Sequence, residues 1–313
     1  MRQAGKNGRL VRFYAKSPRD QTTPAGTDQT MNTAAPSRIR LGKISYLNVL
    51  PIYYPLESGS VPNDFEIVSG PPARLNELMA RGELDISAAS SFEYARNHER
   101  YLLVPDLAIG SQGPVQSVLL ISRLPLQELE AANILVSSQT HTSAALLRLL
   151  LKERLGLSPA YRIGNISSEM EAASRPPAFL AIGDEALRYR NLPDYPYTLD
   201  LGQAWLEWTG LPFIFGVWII NKASLEQKRP ALIQACEQLW AGKQWGMNRI
   251  PFFSALISQK GILNQQEVAS YFQGLVYALK DREQRGLRRF FELLARAGTI
   301  PGAPDLRFFQ EHG

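Results

Sequence analysis

An α/β chain folded into two lobes around a cleft is predicted by three features of the sequence. Short apolar runs that read as strands alternate with longer stretches of helical periodicity. Several of these strands end in small polar residues where a helix begins. Two long apolar segments, 113–122 and 211–220, set a middle unit apart from an outer one that lies on both sides of it in the chain. The expected division is 38–115 with 213–313 as a discontinuous first lobe, 116–212 as a second lobe, and a tail at 1–37. With 313 residues, the chain is long enough for two ordinary domains.

Residues 39–46 alternate around Ile39, Leu41 and Ile44, as a strand does, and run into Ser45-Tyr46-Leu47-Asn48 with Pro51 just beyond. Asn48 falls where the strand ends, the position at which open α/β sheets bind ligands. The same residue type also simply closes turns. Phe65–Val68 reads as a second strand. Pro71-Pro72 opens a helix with Leu75, Leu78 and Met79 on one face, stopped by Gly82.

Leu84 to Ser91 begins as a strand and ends in Ser90-Ser91 ahead of Phe92-Glu93-Tyr94-Ala95. Either serine can cap the helix, and the free amides there favour an anion. Gly113 to Ser122, which includes Ser117, is expected to be one long strand. A short helix near 125–131 and a strand at 134–136 lead to Ser137-Ser138-Gln139-Thr140-His141-Thr142-Ser143, the junction richest in hydroxyls. A helix from Ala144 to Leu155 follows. Such a junction can hold a carboxylate without any arginine. His141 is the only histidine placed for acid–base work, although a solvent-facing histidine reads the same way.

Phe179–Ile182 forms a further strand, with Gly183 permitting close backbone approach and Asp184 expected to cap the next helix. Helices are expected around 223–247, 251–259, 265–281 and 283–297. Two strands crossing between lobes make this a two-lobed, periplasmic-binding-protein-like (type II) α/β fold, its ligand cleft lined by strand-end loops from both lobes.

Composition narrows the functions. The chain is 45% hydrophobic and 20% charged, with a net charge of +5. Residues 1–37 hold six basic residues (Arg2, Lys6, Arg9, Arg12, Lys16, Arg19) against Asp20 and Asp28, leaving +1 for the other 276. A nucleic-acid-binding face is therefore not expected of the body. The single cysteine, Cys236, excludes an internal disulfide, and no His-x-x-x-His spacing suggests zinc. Neither a metal nor a cofactor is expected. No apolar run reaches the ~18 residues of a membrane span. The tail lacks the apolar stretch of a secretory signal, reads as disordered, and contains Met31 as an alternative start, so a cytoplasmic location is expected.

The ordered set of motifs resembles the chorismate dehydratases of the futalosine route to menaquinone. The matching residues are Ile44-Ser45-Tyr46-Leu47-Asn48 with Pro51, Gly82-Glu83-Leu84-Asp85 with Ser90-Ser91 and Glu93-Tyr94, and Gly113-Pro114-Val115 with Ser117-Val118. They continue with Thr142-Ser143, Ile182-Gly183-Asp184 with Ala186-Leu187, Thr209-Gly210-Leu211-Pro212-Phe213, and Gly286-Leu287 with Phe290-Phe291. Dihydroxynaphthoate synthases of the same fold look different: they lack the Tyr-Leu-Asn turn and carry a His-Glu pair where this chain has Gly183-Asp184.

The resemblance implies loss of water from chorismate to give 3-[(1-carboxyvinyl)oxy]benzoate. Ser90, Ser91, Thr142 and Ser143 would then take the carboxylates, beside Gly183 and Asp184, while Asn48 and Ser117 orient the leaving hydroxyl or stabilise developing charge. The proton acceptor is either the substrate's own enolpyruvyl carboxylate or His141. Two readings compete with an enzyme. One is a solute-binding protein of this fold, which would require export. The other is a ligand-sensing regulatory domain, for which neither a helix-turn-helix segment nor a basic face is present.

Overall fold

The computed structural model describes residues 38–138, 140–172, 174–259, 261 and 263–310, so the expected disordered tail lies outside the described residues. From its start the body runs β1 (Arg40–Lys43), α1 (Leu50–Glu57), β2 (Glu66–Ser69), α2 (Pro72–Ala80), β3 (Ile86–Ser90), α3 (Ser91–Asn97) and β4 (Tyr101–Ser111). The middle of the chain supplies β5 (Val118–Ser122), β6 (Asn133–Val136), α4 (His141–Leu149), β7 (Ala160–Ile163), α5 (Ile166–Glu171), β8 (Ala178–Ile182), α6 (Gly183–Tyr189), β9 (Tyr197–Asp200) and α7 (Leu201–Thr209). The chain then returns through β10 (Phe213–Asn221), α8 (Leu225–Met247), α9 (Ile250–Ser258), α10 (Gln265–Gly274), β11 (Leu275–Val276) and α11 (Asp281–Arg296).

Two mixed sheets result. One has the order β11-β4-β10-β3-β1-β2, the other β7-β6-β8-β5-β9. Each contains three parallel strands, β2-β1-β3 or β7-β6-β8, followed by an antiparallel strand beside the third: β10 on β3, and β5 on β8. The parallel triplets require crossover helices, which explains the alternating periodicities of the sequence. Because β5 and β10 run against their neighbours, their first residues lie at the same sheet edge as the last residues of the parallel strands. Val118 pairs with Ile182, and Gly216 with Ser90.

The core of the first sheet is aromatic. Trp218 of β10 stacks on Tyr53 of α1 at 6.2 Å between ring centroids and donates to its hydroxyl at 3.1 Å, while Tyr53 donates to the Gly42 carbonyl at 2.6 Å. Helix α1 is pinned from outside by α8. A Cβ on Gly246 would lie 1.9 Å from the Pro51 carbonyl oxygen, so only glycine allows the approach that holds α1, and the turn before it, against the sheet.

A buried carboxylate locks the base of β1. Asp85 is 0% exposed and accepts from the Arg40 amide at 2.8 Å, from Arg40 Nε and Nη2, from Ser224 Oγ at 2.8 Å and from Lys228 Nζ at 2.8 Å. Burial raises its pKa, but the hydrogen bonds from Arg40, Lys228 and Ser224 outweigh that and hold it well below the usual carboxylate range.

Several sequence expectations need correction. The long strand leaving the first sheet is β4, at 101–111, not 113–122, where only 118–122 is extended. Strand signals in β4 are broken by Pro105 and by Asp106, which has φ 49° at the point where the chain departs from regular pairing. Residues 113–117 are held off the sheet by Asp200, whose carboxylate accepts from the amides of Val115 at 3.0 Å and Gln116 at 2.7 Å, with Gln116 at φ 61°. The helix expected over 265–281 ends at Gly274, where β11 pairs with β4. Helix α4 starts at His141 rather than Ala144. Asp184 does not cap α6: it lies within that helix's first turn, and the cap position is Ile182.

Candidate active site

The strand ends converge on one cavity of about 110 Å³. Its wall takes Tyr46 and Asn48 from the turn after β1, Asn76 from α2, Ser90 from the end of β3, and Phe215-Gly216 from β10. Ser117 comes from the entry to β5, Ser138 and Thr140-His141-Thr142-Ser143 from the junction before α4 and its first turn, and Ile182-Gly183 from the end of β8. Both sheets therefore contribute, at their carboxyl edges.

Of the residues singled out from the sequence, Asn48, Ser90, Ser117, Thr142, Ser143 and Gly183 lie in this wall, as does His141. Ser91 and Asp184 do not. Ser91 is fully buried at the start of α3, its Oγ without a partner, and Asp184 Oδ1 reaches back to accept from the Leu47 amide at 3.4 Å. Asn76 and Phe215 were not legible as site residues: an amide inside a helix or an aromatic inside a strand carries no local mark of a cavity.

Asn48 sits in a short 3-10 turn at Leu47–Val49. Its carbonyl accepts from the buried Tyr277 hydroxyl at 2.7 Å, which fixes the backbone, while its side-chain Oδ1 is buried with no hydrogen-bond partner among the described residues. Native interiors seldom leave such an acceptor unpaired. Ser117 is 2% exposed. Its carbonyl accepts from the Gly183 amide at 2.7 Å, and its Oγ accepts from the Tyr271 hydroxyl at 3.1 Å. No acceptor among the described residues takes Ser117's own hydroxyl proton. Ser117 thus keeps a hydroxyl proton for the cavity it lines.

At the other end, Ser90 caps α3 by accepting from the Glu93 amide at 3.1 Å, and Thr142 Oγ1 accepts from the Phe92 amide at 3.0 Å, tying α4 to α3. Thr142 and Ser143 occupy the first turn of α4, whose amides have no preceding turn to pair with and whose dipole favours a negative group. Gly183, at φ 56°, packs against Tyr46, and a Cβ there would come within 3.0 Å of the ring. Burial is the main cause that raises the Tyr46 phenol above its ordinary pKa, with the charges of Asp184 and Glu185 adding to it.

No lysine, arginine, aspartate or glutamate lines this cavity among the described residues; His141, exposed at its rim, and Tyr46 are its titratable groups. Positive charge begins in an adjoining hollow of about 390 Å³, which shares Ser138, Thr140 and His141 and carries Arg96, Arg148 and Lys152. Among the described residues, no group of three or more His, Cys, Asp or Glu could hold a metal ion, and no helix is long and apolar enough to cross a membrane.

Fold and site together define a two-lobed α/β protein with a small-molecule cleft between its sheets. Solved structures agree on the fold. The periplasmic aliphatic sulphonate-binding protein of Escherichia coli superposes with a TM-score of 0.62 at 13% identity, covering 88% of this chain and 93% of that one. A Candida albicans protein with the generic periplasmic-binding-protein fold gives 0.63 at 13% identity, covering 86% and 92%.

The chain belongs to the menaquinone-biosynthesis family, whose model matches residues 39–296. Among its curated relatives, the chorismate dehydratase of Thermus thermophilus is 29% identical over 279 residues, covering 84% of this chain and 96% of that protein. The chorismate dehydratase of Campylobacter jejuni is 28% identical over 255 residues, covering 80% and 94%. The 1,4-dihydroxy-6-naphthoate synthase of Thermus thermophilus is 31% identical over 188 residues, covering 59% and 66%.

Proposed function

We propose that this protein is a chorismate dehydratase, removing water from chorismate to give 3-[(1-carboxyvinyl)oxy]benzoate on the futalosine route to menaquinone. The observation that carries the reading is a cavity walled at the strand ends of both sheets by Asn48, Ser90, Ser117, Thr142 and Ser143, with no lysine, arginine, aspartate or glutamate among the described residues that line it. In this reading the substrate hydroxyl, the group this reaction expels, meets the Asn48 amide and Ser117 Oγ in that wall. Full-length coverage of two dehydratase relatives supports it, against partial coverage of the naphthoate synthase.

In this reading the C3–H bond breaks, its electron pair becomes the C3=C4 bond, and the C4–O bond breaks. The oxygen departs with one proton more than it would carry as hydroxide, that is, as water. Aromaticity of the product supplies driving force, so the protein's task is chiefly to bind and orient. Thr142, Ser143 and the first turn of α4 hold a carboxylate through neutral donors, with Ser90 opposite. Asn48 and Ser117 hold the departing oxygen, and Gly183 with Tyr46 shapes the wall. Ser91 and Asp184, lying behind the wall, support the α3 helix start and the Asn48 turn.

Among the described residues the cavity offers no carboxylate or amine as base, and His141 is exposed at its rim. We therefore assign proton removal from C3 to the substrate's own enolpyruvyl carboxylate, which can pass the proton to the departing oxygen. The reading carries with it the lobe division at 38–115 with 213–313 and 116–212, and a cytoplasmic location. Incubating the purified protein with chorismate and following an aromatic product by absorbance and mass tests it. Tight binding without turnover would favour a solute-binding protein instead.

A further inference from the structure

Two buried tyrosines near the end of the chain stand behind the two residues placed at the departing hydroxyl. Tyr271 lies in α10 and Tyr277 just after β11; they are 1% and 4% exposed. Tyr277 donates to the Asn48 carbonyl at 2.7 Å, and Tyr271 donates to Ser117 Oγ at 3.1 Å. Residues 271–277 thus reach one cavity residue from the turn after β1 and another from the entry to the second sheet. Packing is tight on this side: Tyr271 and Phe272 rings lie 5.5 Å apart, and Phe272 is 0% exposed.

A serine hydroxyl has one proton and can rotate to offer it to any acceptor in reach. Ser117 next to an aliphatic wall would be free to turn away from the cavity. Here its lone pair is occupied by the Tyr271 hydroxyl, and no acceptor among the described residues competes for its proton. Burial pushes the Tyr271 phenol well above its ordinary range, so it stays a donor throughout the working pH range.

We infer that Tyr271 is a positioning residue that fixes the polarity of Ser117, making it a hydrogen-bond donor into the cavity toward the departing oxygen. This rests on the dehydratase reading for its chemistry. The hydrogen-bond chain runs Tyr271 O–H to Ser117 Oγ, then Ser117 O–H to the substrate oxygen, and each bond strengthens as charge develops on that oxygen. Tyr271 itself touches no substrate atom.

The test is a cycle of wild type, Tyr271→Phe, Ser117→Ala and the double variant, each assayed for kcat and KM with chorismate. Phenylalanine keeps the ring and its packing. Tyr271→Phe is expected to lower kcat by about tenfold with KM changed by less than about threefold, and to have no further effect once Ser117 is alanine. Independent, multiplying losses in the double variant, or an unchanged kcat in Tyr271→Phe, would overturn the inference. If wild type leaves chorismate intact, the functional reading fails separately. Crystal structures of wild type and Tyr271→Phe then decide the positioning role: Ser117 Oγ spread over more than one rotamer in the variant supports it, and a single unchanged rotamer refutes it.

Discussion

Replacing Asn48 by alanine should push activity and stability in opposite directions. Asn48 Oδ1 is buried without a partner among the described residues, which costs about 1–3 kcal/mol relative to a satisfied group. Alanine removes that burden and leaves the Asn48 carbonyl, held by Tyr277 at 2.7 Å, in place. Some van der Waals contact is lost with the amide, so a net gain of about 1 kcal/mol is expected, or about 2–4 °C in melting temperature for a domain of this size. On the proposed reading the same amide orients the departing hydroxyl, and loss of that hydrogen bond costs about 1–3 kcal/mol. That corresponds to a fall in kcat of about 10–100-fold with a smaller change in KM. Scanning calorimetry and steady-state kinetics on the same preparation check both signs. An unchanged kcat would remove Asn48 from the chemistry. A lowered melting temperature would show that its side chain holds the turn, and that the unpaired acceptor is not a functional investment.

Three further outcomes are expected. His141→Ala should retain near-normal turnover, since His141 is exposed at the rim; a fall of about 100-fold would make it the base. Gly183→Ala should destabilise the protein by about 1–2 kcal/mol through its left-handed backbone and displace the Tyr46 ring, raising KM; urea denaturation with stability equal to wild type would refute this. Asp85→Asn should destabilise by about 3–5 kcal/mol at neutral pH by leaving Arg40 and Lys228 facing each other. Because the Asp85 pKa is depressed by folding, its stabilisation is present above the unfolded value of about 3.9 and is lost as pH falls below it. The gap between wild type and Asp85→Asn should therefore narrow in denaturation curves taken below about pH 4, and a constant gap would contradict the assignment.

Much of the site was legible because its residues sit at junctions that leave a local mark. Ser90, Thr142-Ser143 and Gly183 follow apolar runs and precede helical periodicity, and all line the cavity. Strand β4 was not legible, because Pro105 and Asp106 interrupt a run that the sheet nevertheless extends over 101–111 by bulging around them. The entry to β5 was misread in the other direction. Its apolar pattern is continuous, yet Asp200, more than eighty residues later, pulls the Val115 and Gln116 amides away from strand pairing. Asp184 carries the usual signature of a cap, but Gly183 supplies the turn and the carboxylate is recruited by the Leu47 amide across the cleft.

The sequence by itself determined the alternation of α and β segments and the strand ends that bear hydroxyls, because periodicity and residue type act over a few neighbours. Tertiary structure decided which of those groups remain unpaired. Asn48 Oδ1 has no partner among the described residues, its carbonyl accepts from Tyr277, 229 residues away, and Ser117 Oγ accepts from Tyr271, 154 residues away. Hydrogen-bond satisfaction is a property of the whole packed chain, and no local pattern encodes it.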